Sequence, residues 1–341
     1  MLKIRVESLK PGMKLGKDIF TYDGKLLLTK GTVISEEHLK NFASRNIKDI
    51  YIMETSPQLK ATKSFEEAFD DSLDIVKSFM LEAKLGGNPD YAEIENSVDT
   101  LVQQVFSVTD IFRHMRLLKD KDDYLFTHSI NVSLLSILIG RWLKCSEEEI
   151  RLLGMAGMLH DIGKVYISNE ILNKPGKLTP EEFEEVKKHT ILGYNLITQN
   201  EDLDENIAKA VLMHHERLDG SGYPMGTKGK INFYAAVVAV ADVYDALTSN
   251  RAYAGKLSPY TAADILWQES FGKLDPRITK VFYDRITNFY VGNEVVLSNN
   301  KRGVVIYVDR CNPTRPIVMV GENEFINLAE DLSVSIIEVI D

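Results

Sequence analysis

The segment AAVVAVADVYDAL, residues 235–247, limits the possible folds more than any other part of this 341-residue chain. It is apolar around most of its circumference, so as a helix it must be covered on nearly every side. Yet it carries Asp242 and Asp245. An ionised carboxylate in such surroundings is costly unless a cation, a hydrogen-bond donor or a proton meets it. The chain must therefore pack other helices around this one and bring polar partners to both aspartates. Arg251, close behind, is one candidate.

The covering helices are legible over residues 119–290. Ser146 with Glu149, the run Thr179-Pro180-Glu181-Glu182, and Ser258 with Pro259 each mark a helix start. Of the seven histidines, five fall in this region. His128 sits in the apolar run YLFTHSINVSLLSIL. His160-Asp161 closes LLGMAGML and precedes Ile162-Gly163-Lys164. His189 ends EEFEEVKK, and His214-His215 opens HHERLDGSGYP. A lone histidine on an apolar helix is more often a hydrogen-bonded core residue than a ligand. Five of them, together with aspartates on helices of one bundle, point instead to a metal site, because facing bundle helices are where such sites are built. Imidazole and carboxylate donors without thiolate suit iron, manganese or another first-row dication. Neighbouring helical residues point about 100° apart. If both stayed helical, His214 and His215 would suit one imidazole on each of two metals, with Asp161 bridging.

The flanks differ in character. Residues 1–60 mix β-branched runs (IRVESL, LLLTKGTVI, IKDIYIM), a turn at Asp23-Gly24 and a helix opening at Ser35, which reads as a small α+β accessory module. Residues 61–118 read as a helical linker. A capping box at Ser64 and Glu67 starts a helix with Phe65, Phe69, Leu73, Val76 and Met80 on one face. After Gly86-Gly87-Asn88-Pro89, a second helix carries Ile94, Val98, Leu101, Val105, Val108, Phe112 and Met115. Their alternating spacing of four and three fits either a hairpin folding back on the first helix or a homodimer seam through residues 94–115. Residues 291–341 change to short β-branched runs (VGNEVVLS, RGVVIYVD, RPIVMVG, LSVSIIEVI), expected to form a small β-barrel-like module.

Composition narrows the function. Apolar residues make up 44% and charged residues 26%, as in a globular protein. A net charge of −10 argues against a DNA or RNA duplex as partner, so any field that attracts an anion must be local. Cys145 and Cys311, far apart in sequence, suggest neither a disulfide framework nor a zinc–thiolate site. Together with an N-terminal MLKIRVESLK that lacks an apolar core, this leads to the expectation of a cytoplasmic protein. The greasy run LLSILIG at 134–140 is too short to span a bilayer.

The combination HSINVSLLS (128–136), GMLHDIGK (157–164), ILNKPGKLTPEEFEEVKKH (171–189), HHERLDGSGYP (214–224), AVADVYDALTSNRAY (239–253) and LDPRITKVF (274–282) resembles the HD-GYP branch of the HD phosphohydrolase superfamily. The resemblance covers roughly half the chain and is specific through the conjunction of its motifs. It implies a mainly α fold, with an all-helical HD-type bundle as the catalytic domain at 119–290, and a phosphodiesterase converting cyclic di-GMP to pGpG, with a second, slower cut to GMP left open. A catalytically weak cyclic-dinucleotide-binding signalling module, or an HD hydrolase of another cyclic dinucleotide or nucleotide, is the alternative. The resemblance also implies two divalent metals, iron or manganese, held by His128, His160, Asp161, His189, His214, His215 and Asp242. Lys164 and Arg251 match positions that contact the substrate phosphate, Gly222 and Tyr223 match the substrate-binding side, and Asp219 and Asp245 match supporting positions. Two departures stand out. Where some relatives place a glutamate that helps hold a third metal, this chain has Tyr124, with Asp122 and Asp123 out of register. Where the family reads Arg-Pro-Tyr-Arg, it has Arg251-Ala252-Tyr253-Ala254, losing one basic contact, with Lys256 nearby as a partial replacement.

Overall fold

The computed structural model describes residues 2–6, 9, 15, 17, 19–20, 26–28, 32, 34, 42 and 49–52 of the first sixty, then 63–87, 89–107, 111–118, 124–249, 256–321 and 324–340. The chain divides into two compact units, Met1–Lys60 and Ala61–Asp341.

The first unit contains strands β1 (Leu2–Arg5), β2 (Ile19–Phe20), β3 (Leu26–Leu28) and β4 (Asp49–Ile52), paired antiparallel as β1–β4 and β2–β3. Leu9, Leu15, Ile34, Phe42 and Ile50 make a small core. The turn at Asp23-Gly24 and the helix expected from Ser35 lie outside the described residues.

The second unit is helical up to residue 290. Its elements are α1 (Phe65–Lys84), α2 (Tyr91–Ser107), α3 (Ile111–Leu118), α4 (Tyr124–Leu143), α5 (Glu147–Leu159), a 3-10 turn (Ile162–Tyr166), α6 (Asn169–Leu172), α7 (Pro180–Lys187), α8 (His189–Ile197), α9 (Glu205–Met213), α10 (Phe233–Thr248), α11 (Pro259–Glu269), α12 (Pro276–Ile286) and a second 3-10 turn (Thr287–Tyr290). Reciprocal capping boxes start α1 (Ser64 with Glu67), α5 (Ser146 with Glu149) and α7 (Thr179 with Glu182, proline at the first position), satisfying N–H groups that a helix start leaves unpaired. At the centre, α4 is buried without interruption from Thr127 to Gly140, and α10 from Tyr234 to Asp242. The two pack together and against α5. Each fully buried leucine, isoleucine or valine there contributes about 1.5–3 kcal/mol. That reserve allows the same helices to carry buried polar groups.

The described residues of the spaced face at 94–115 are covered within the chain, as the hairpin alternative expects; Val108 lies outside the described residues. The face is split between α2 and α3, and Ile94, Val98, Leu101, Val105, Phe112 and Met115 are 0–3% exposed within a single chain. Helices α1, α4 and α5 pack against α2. The described residues of the helical stretch 61–118 contribute to the same core as the rest of the bundle.

The C-terminal region forms one antiparallel sheet of β5 (Glu294–Leu297), β6 (Arg302–Asp309), β7 (Asn312–Met319), β8 (Phe325–Asn327) and β9 (Ile336–Ile340), ordered β8-β7-β6-β5-β9. Among the described residues no ladder joins β8 to β9, so the sheet is open. It shares the bundle's core through Val295, Leu297, Val305, Val318 and Ile336, and the Ser258 hydroxyl at the start of α11 donates to the Ile336 carbonyl at 2.8 Å. No described helix is long and apolar enough to cross a membrane.

Candidate metal centre

Five elements bring the histidines and aspartates to one place in the bundle. His128 comes from the second turn of α4, His160 and Asp161 from the end of α5, His189 from the start of α8, His214 and His215 from the end of α9, and Asp242 from α10. His128, His160, Asp161, His189, His214 and Asp242 are 0–8% exposed, and His215 is half-buried. Gly163 makes part of this approach possible. A Cβ there would lie 1.9 Å from the His189 carbonyl oxygen, so only glycine lets the turn after Asp161 sit directly on the start of α8.

Three imidazoles share one device. The Nδ1 atoms of His160, His189 and His214 lie 2.7, 2.7 and 2.9 Å from the carbonyl oxygens of Gly157, Val186 and Val211, each three residues earlier. A carbonyl only accepts, so each Nδ1 carries the proton and each Nε2 presents a lone pair. All three lone pairs point at Asp161. His160 Nε2 is 3.3 Å from Asp161 Oδ2, while His189 and His214 Nε2 are 3.3 and 3.9 Å from Oδ1. The Nε2 atoms of His189 and His214 are themselves 3.3 Å apart. Lone pairs aimed at each other and at a carboxylate are repulsive. Asp161 Oδ1 and His160 Nε2 accordingly have no hydrogen-bond partner although both are buried. Such a concentration of acceptors fits a cation.

Two groups of donor atoms, each within 4.8 Å of one another, can hold such ions: Asp161, His189, His214 and His215 in one, and His128, His160 and Asp242 in the other. His214 and His215 therefore fall in one group rather than one on each side. The reason is local: α9 ends at Met213, and the two rings follow a turn with centroids 4.1 Å apart instead of diverging along a helix.

Protonation follows the same geometry. Burial pushes His189 down to about 4 and His215 down to about 3, and burial beside the other imidazoles holds His214 well below the usual histidine range. His128 is the opposite case. Burial opposes its charge, but hydrogen bonds to Asp242 (3.1 Å from Nε2) and Asp245 (2.7 Å from Nδ1) prevail and raise it to about 9. Asp161 and Asp242 are held well below the usual carboxylate range: burial raises both, but for Asp161 the neighbouring His160 and the Lys164 ammonium, and for Asp242 the hydrogen bond from His128, more than offset it. The Lys164 ammonium donates to Asp161 Oδ2.

Of the remaining candidates, Asp245 supports His128 directly and is itself held by Asn131 Nδ2 at 3.0 Å and the Ser249 hydroxyl at 3.1 Å. Tyr223 stacks on His215 with centroids 4.6 Å apart, and Gly222 lies in the same loop against residues 215–217. Asp219 does not reach the cluster. It is exposed and closes its own turn by accepting from the N–H and hydroxyl of Ser221, because its loop leaves the bundle there. Arg251 lies outside the described residues, as do Asp122 and Asp123. Tyr124 is described, and its ring stacks on His128. Sequence reasoning missed Asn131, Ser249 and the buried Glu216. Asn131 is three residues from His128, on the same helix face, which is the one hint it offered.

Residues 114–278 match the HD domain family. A cyclic di-GMP phosphodiesterase of Pseudomonas aeruginosa is 35% identical over 68% of this chain and 56% of that protein. A 3'3'-cGAMP-specific phosphodiesterase of Vibrio cholerae is 33% identical over 55% of this chain and 44% of that protein. The chain thus spans about half the length of these relatives. Among solved structures, an HDG"Y"P protein of Bdellovibrio bacteriovorus matches with a TM-score of 0.54 at 19% identity, over 83% of this chain and 98% of that one. The fold, the matched residues and the buried histidine–aspartate cluster agree in likening residues 114–278 to the HD domain family.

Proposed function

We propose that the chain is a metal-dependent phosphodiesterase that hydrolyses cyclic di-GMP to pGpG, with a slower second cut to GMP. The observation that carries this reading is the convergence of three imidazole lone pairs on Asp161, in a chain similar to a protein named for that activity. In this reading His128, His160, Asp161, His189, His214, His215 and Asp242 would hold two divalent ions, iron or manganese, with Asp161 in reach of donors from both groups. Bound there, the ions supply charge stabilisation for a phosphoryl oxygen and a nucleophilic water at neutral pH.

The chain's own groups do the rest. Asp245 keeps the Nδ1 proton of His128 engaged, so that its Nε2 faces Asp242. Lys164 neutralises charge growing on the phosphate and donates to the leaving oxygen, from a position beside Asp161. Burial, with Asp161 and Asp242 close by, pushes the Tyr223 phenol up, so it stays a neutral donor that can also pack on a guanine. Arg251 grips a phosphate through its forked donors, with Gly222 giving close backbone approach. The field is local, as a chain of net charge −10 requires.

The test is pGpG release from cyclic di-GMP by metal-replete protein and by Asp161→Ala. The proposal expects turnover in the first and a loss of about a thousandfold or more in the second, as when a central electrostatic group is removed. Equal turnover would reject the site. The similarity to a cGAMP-specific relative favours one second reading, in which the same centre prefers a mixed cyclic dinucleotide. Side-by-side kcat/KM values for cyclic di-GMP and 3'3'-cGAMP separate the two.

A further inference from the structure

Glu216 follows the paired histidines, is 1% exposed, and belongs to neither group of donor atoms. Among the described residues no lysine or arginine pairs with it; its partners are backbone N–H groups of one loop. Its Oε1 accepts from Met225 at 2.6 Å and Gly226 at 3.1 Å, and its Oε2 accepts from Thr227 at 3.0 Å. Successive N–H groups that converge on one anion form a nest. Here the anion is a side chain of the protein, and what it fixes is the loop.

The loop is tied down at a second level. A Cβ on Gly222 would fall 2.4 Å from Arg217 N and from the His215 carbonyl oxygen, so the backbones of 222 and 215–217 lie directly on one another. Tyr223 N donates to that same His215 oxygen at 3.2 Å. Between the two ties stands the Tyr223 ring. It lies 4.6 Å from His215 at 29°, meets His189 edge-on at 6.4 Å, and meets Phe183 edge-on at 6.2 Å, with the Lys187 ammonium 5.7 Å from its centre.

We propose that Glu216 is a positioning residue for substrate binding: its carboxylate clamps residues 225–227 and so holds Tyr223 against His215 as one wall of the site. This rests on the phosphodiesterase reading above. Glu216 touches neither ion nor substrate and acts through Tyr223. Its removal loosens a binding wall and leaves the donor atoms in place.

The experiment compares wild type, Glu216→Ala, Glu216→Gln, Tyr223→Ala and the Glu216→Ala/Tyr223→Ala double variant for metal content, melting temperature, kcat and KM with cyclic di-GMP. Wild-type turnover is the separate check on the underlying reading; its absence would remove that reading whatever the variants do. Glu216→Ala is expected to keep its metal and to raise KM by about tenfold, the scale of one charge-assisted hydrogen bond, with a smaller change in kcat. Glu216→Gln should fall between it and wild type. Its carbonyl can replace Oε1 towards Met225 and Gly226, whereas its NH₂ meets the N–H of Thr227. The double variant should have a KM no higher than Tyr223→Ala alone, because both changes remove the same wall. A lower melting temperature with unchanged KM would make Glu216 a loop staple and overturn the proposal. So would multiplying KM effects in the double variant, or loss of metal from Glu216→Ala. Should Glu216→Ala fail to fold, Glu216→Gln carries the same comparison.

Discussion

Replacing Asp245 with alanine separates a residue that supports a metal ligand from one that merely fills the core. Asp245 is 1% exposed and meets His128 Nδ1 at 2.7 Å, Asn131 Nδ2 at 3.0 Å and the Ser249 hydroxyl at 3.1 Å. Alanine frees the His128 ring to rotate and to change tautomer. Loss of such a partner costs about 10–100-fold in metal affinity, which is roughly 1.4–2.7 kcal/mol. The partners left unsatisfied cost the fold about 1–3 kcal/mol each on top of that. Asparagine should be gentler for a specific reason. Its amide oxygen can accept from His128, and its amide nitrogen can be met if Asn131 turns to offer its own oxygen, which has no partner now. Competition of Mn²⁺ between protein and a chelator gives the affinities, and thermal unfolding of the metal-loaded proteins gives the stability. Wild-type affinity in Asp245→Ala would refute the reasoning. Equal damage from alanine and asparagine would also count against it.

Other outcomes follow from the same geometry. With His128 raised to about 9, metal binding at pH 7 must displace a proton from its Nε2. Calorimetry in buffers of different ionisation enthalpy should find a His128-dependent release of about one proton per chain at pH 7, falling by about half at pH 9; a constant release would contradict the assignment. Metal-depleted protein should be most stable near pH 6.5. Above that, the unfolded chain has lost the His128 proton that the folded state keeps, so stability declines between about 6.5 and 9. Below it, the unfolded chain takes up protons that buried His189 and His215 refuse until about 4 and 3, so stability falls again, and more steeply. Urea midpoints at several pH values, taken in chelator, would show this dome; a flat profile would not fit. Val105→Glu puts an unpaired charge at a site 2% exposed within one chain. It should destabilise the fold by about 3 kcal/mol or more. A melting temperature equal to wild type, accompanied by a change of oligomeric state, would favour the dimer seam instead.

What the sequence disclosed, and what it withheld, has a physical pattern. An apolar helix carrying Asp242 and Asp245 had to meet polar partners, and the histidines on other apolar helices were the groups able to supply them. Chemistry that is costly to bury therefore announced itself. Asn131 and Ser249 did not, since an amide or hydroxyl in a helix costs little to bury and their partner Asp245 lies 114 residues from Asn131. Glu216 stood in plain sight beside the histidines, but its partners are backbone N–H groups, which no side-chain pattern encodes. How His214 pairs with His215 turns on where α9 stops, which no side-chain pattern marks. The spacing from Ile94 to Met115 showed that a face would be covered without showing by what, since a seam made within the chain and one made between chains have the same period. β8, three residues long, is too short for alternation to register.

The central claim is that these side chains hold two ions. The most direct measurement is the metal content per chain of protein purified without oxygen, by elemental analysis, for wild type and Asp161→Ala. The account predicts about two equivalents of iron or manganese in wild type and a marked loss in the variant, since Asp161 lies within reach of donors from both groups. A wild-type chain that takes up no divalent metal, or a variant that keeps the full complement, would contradict it.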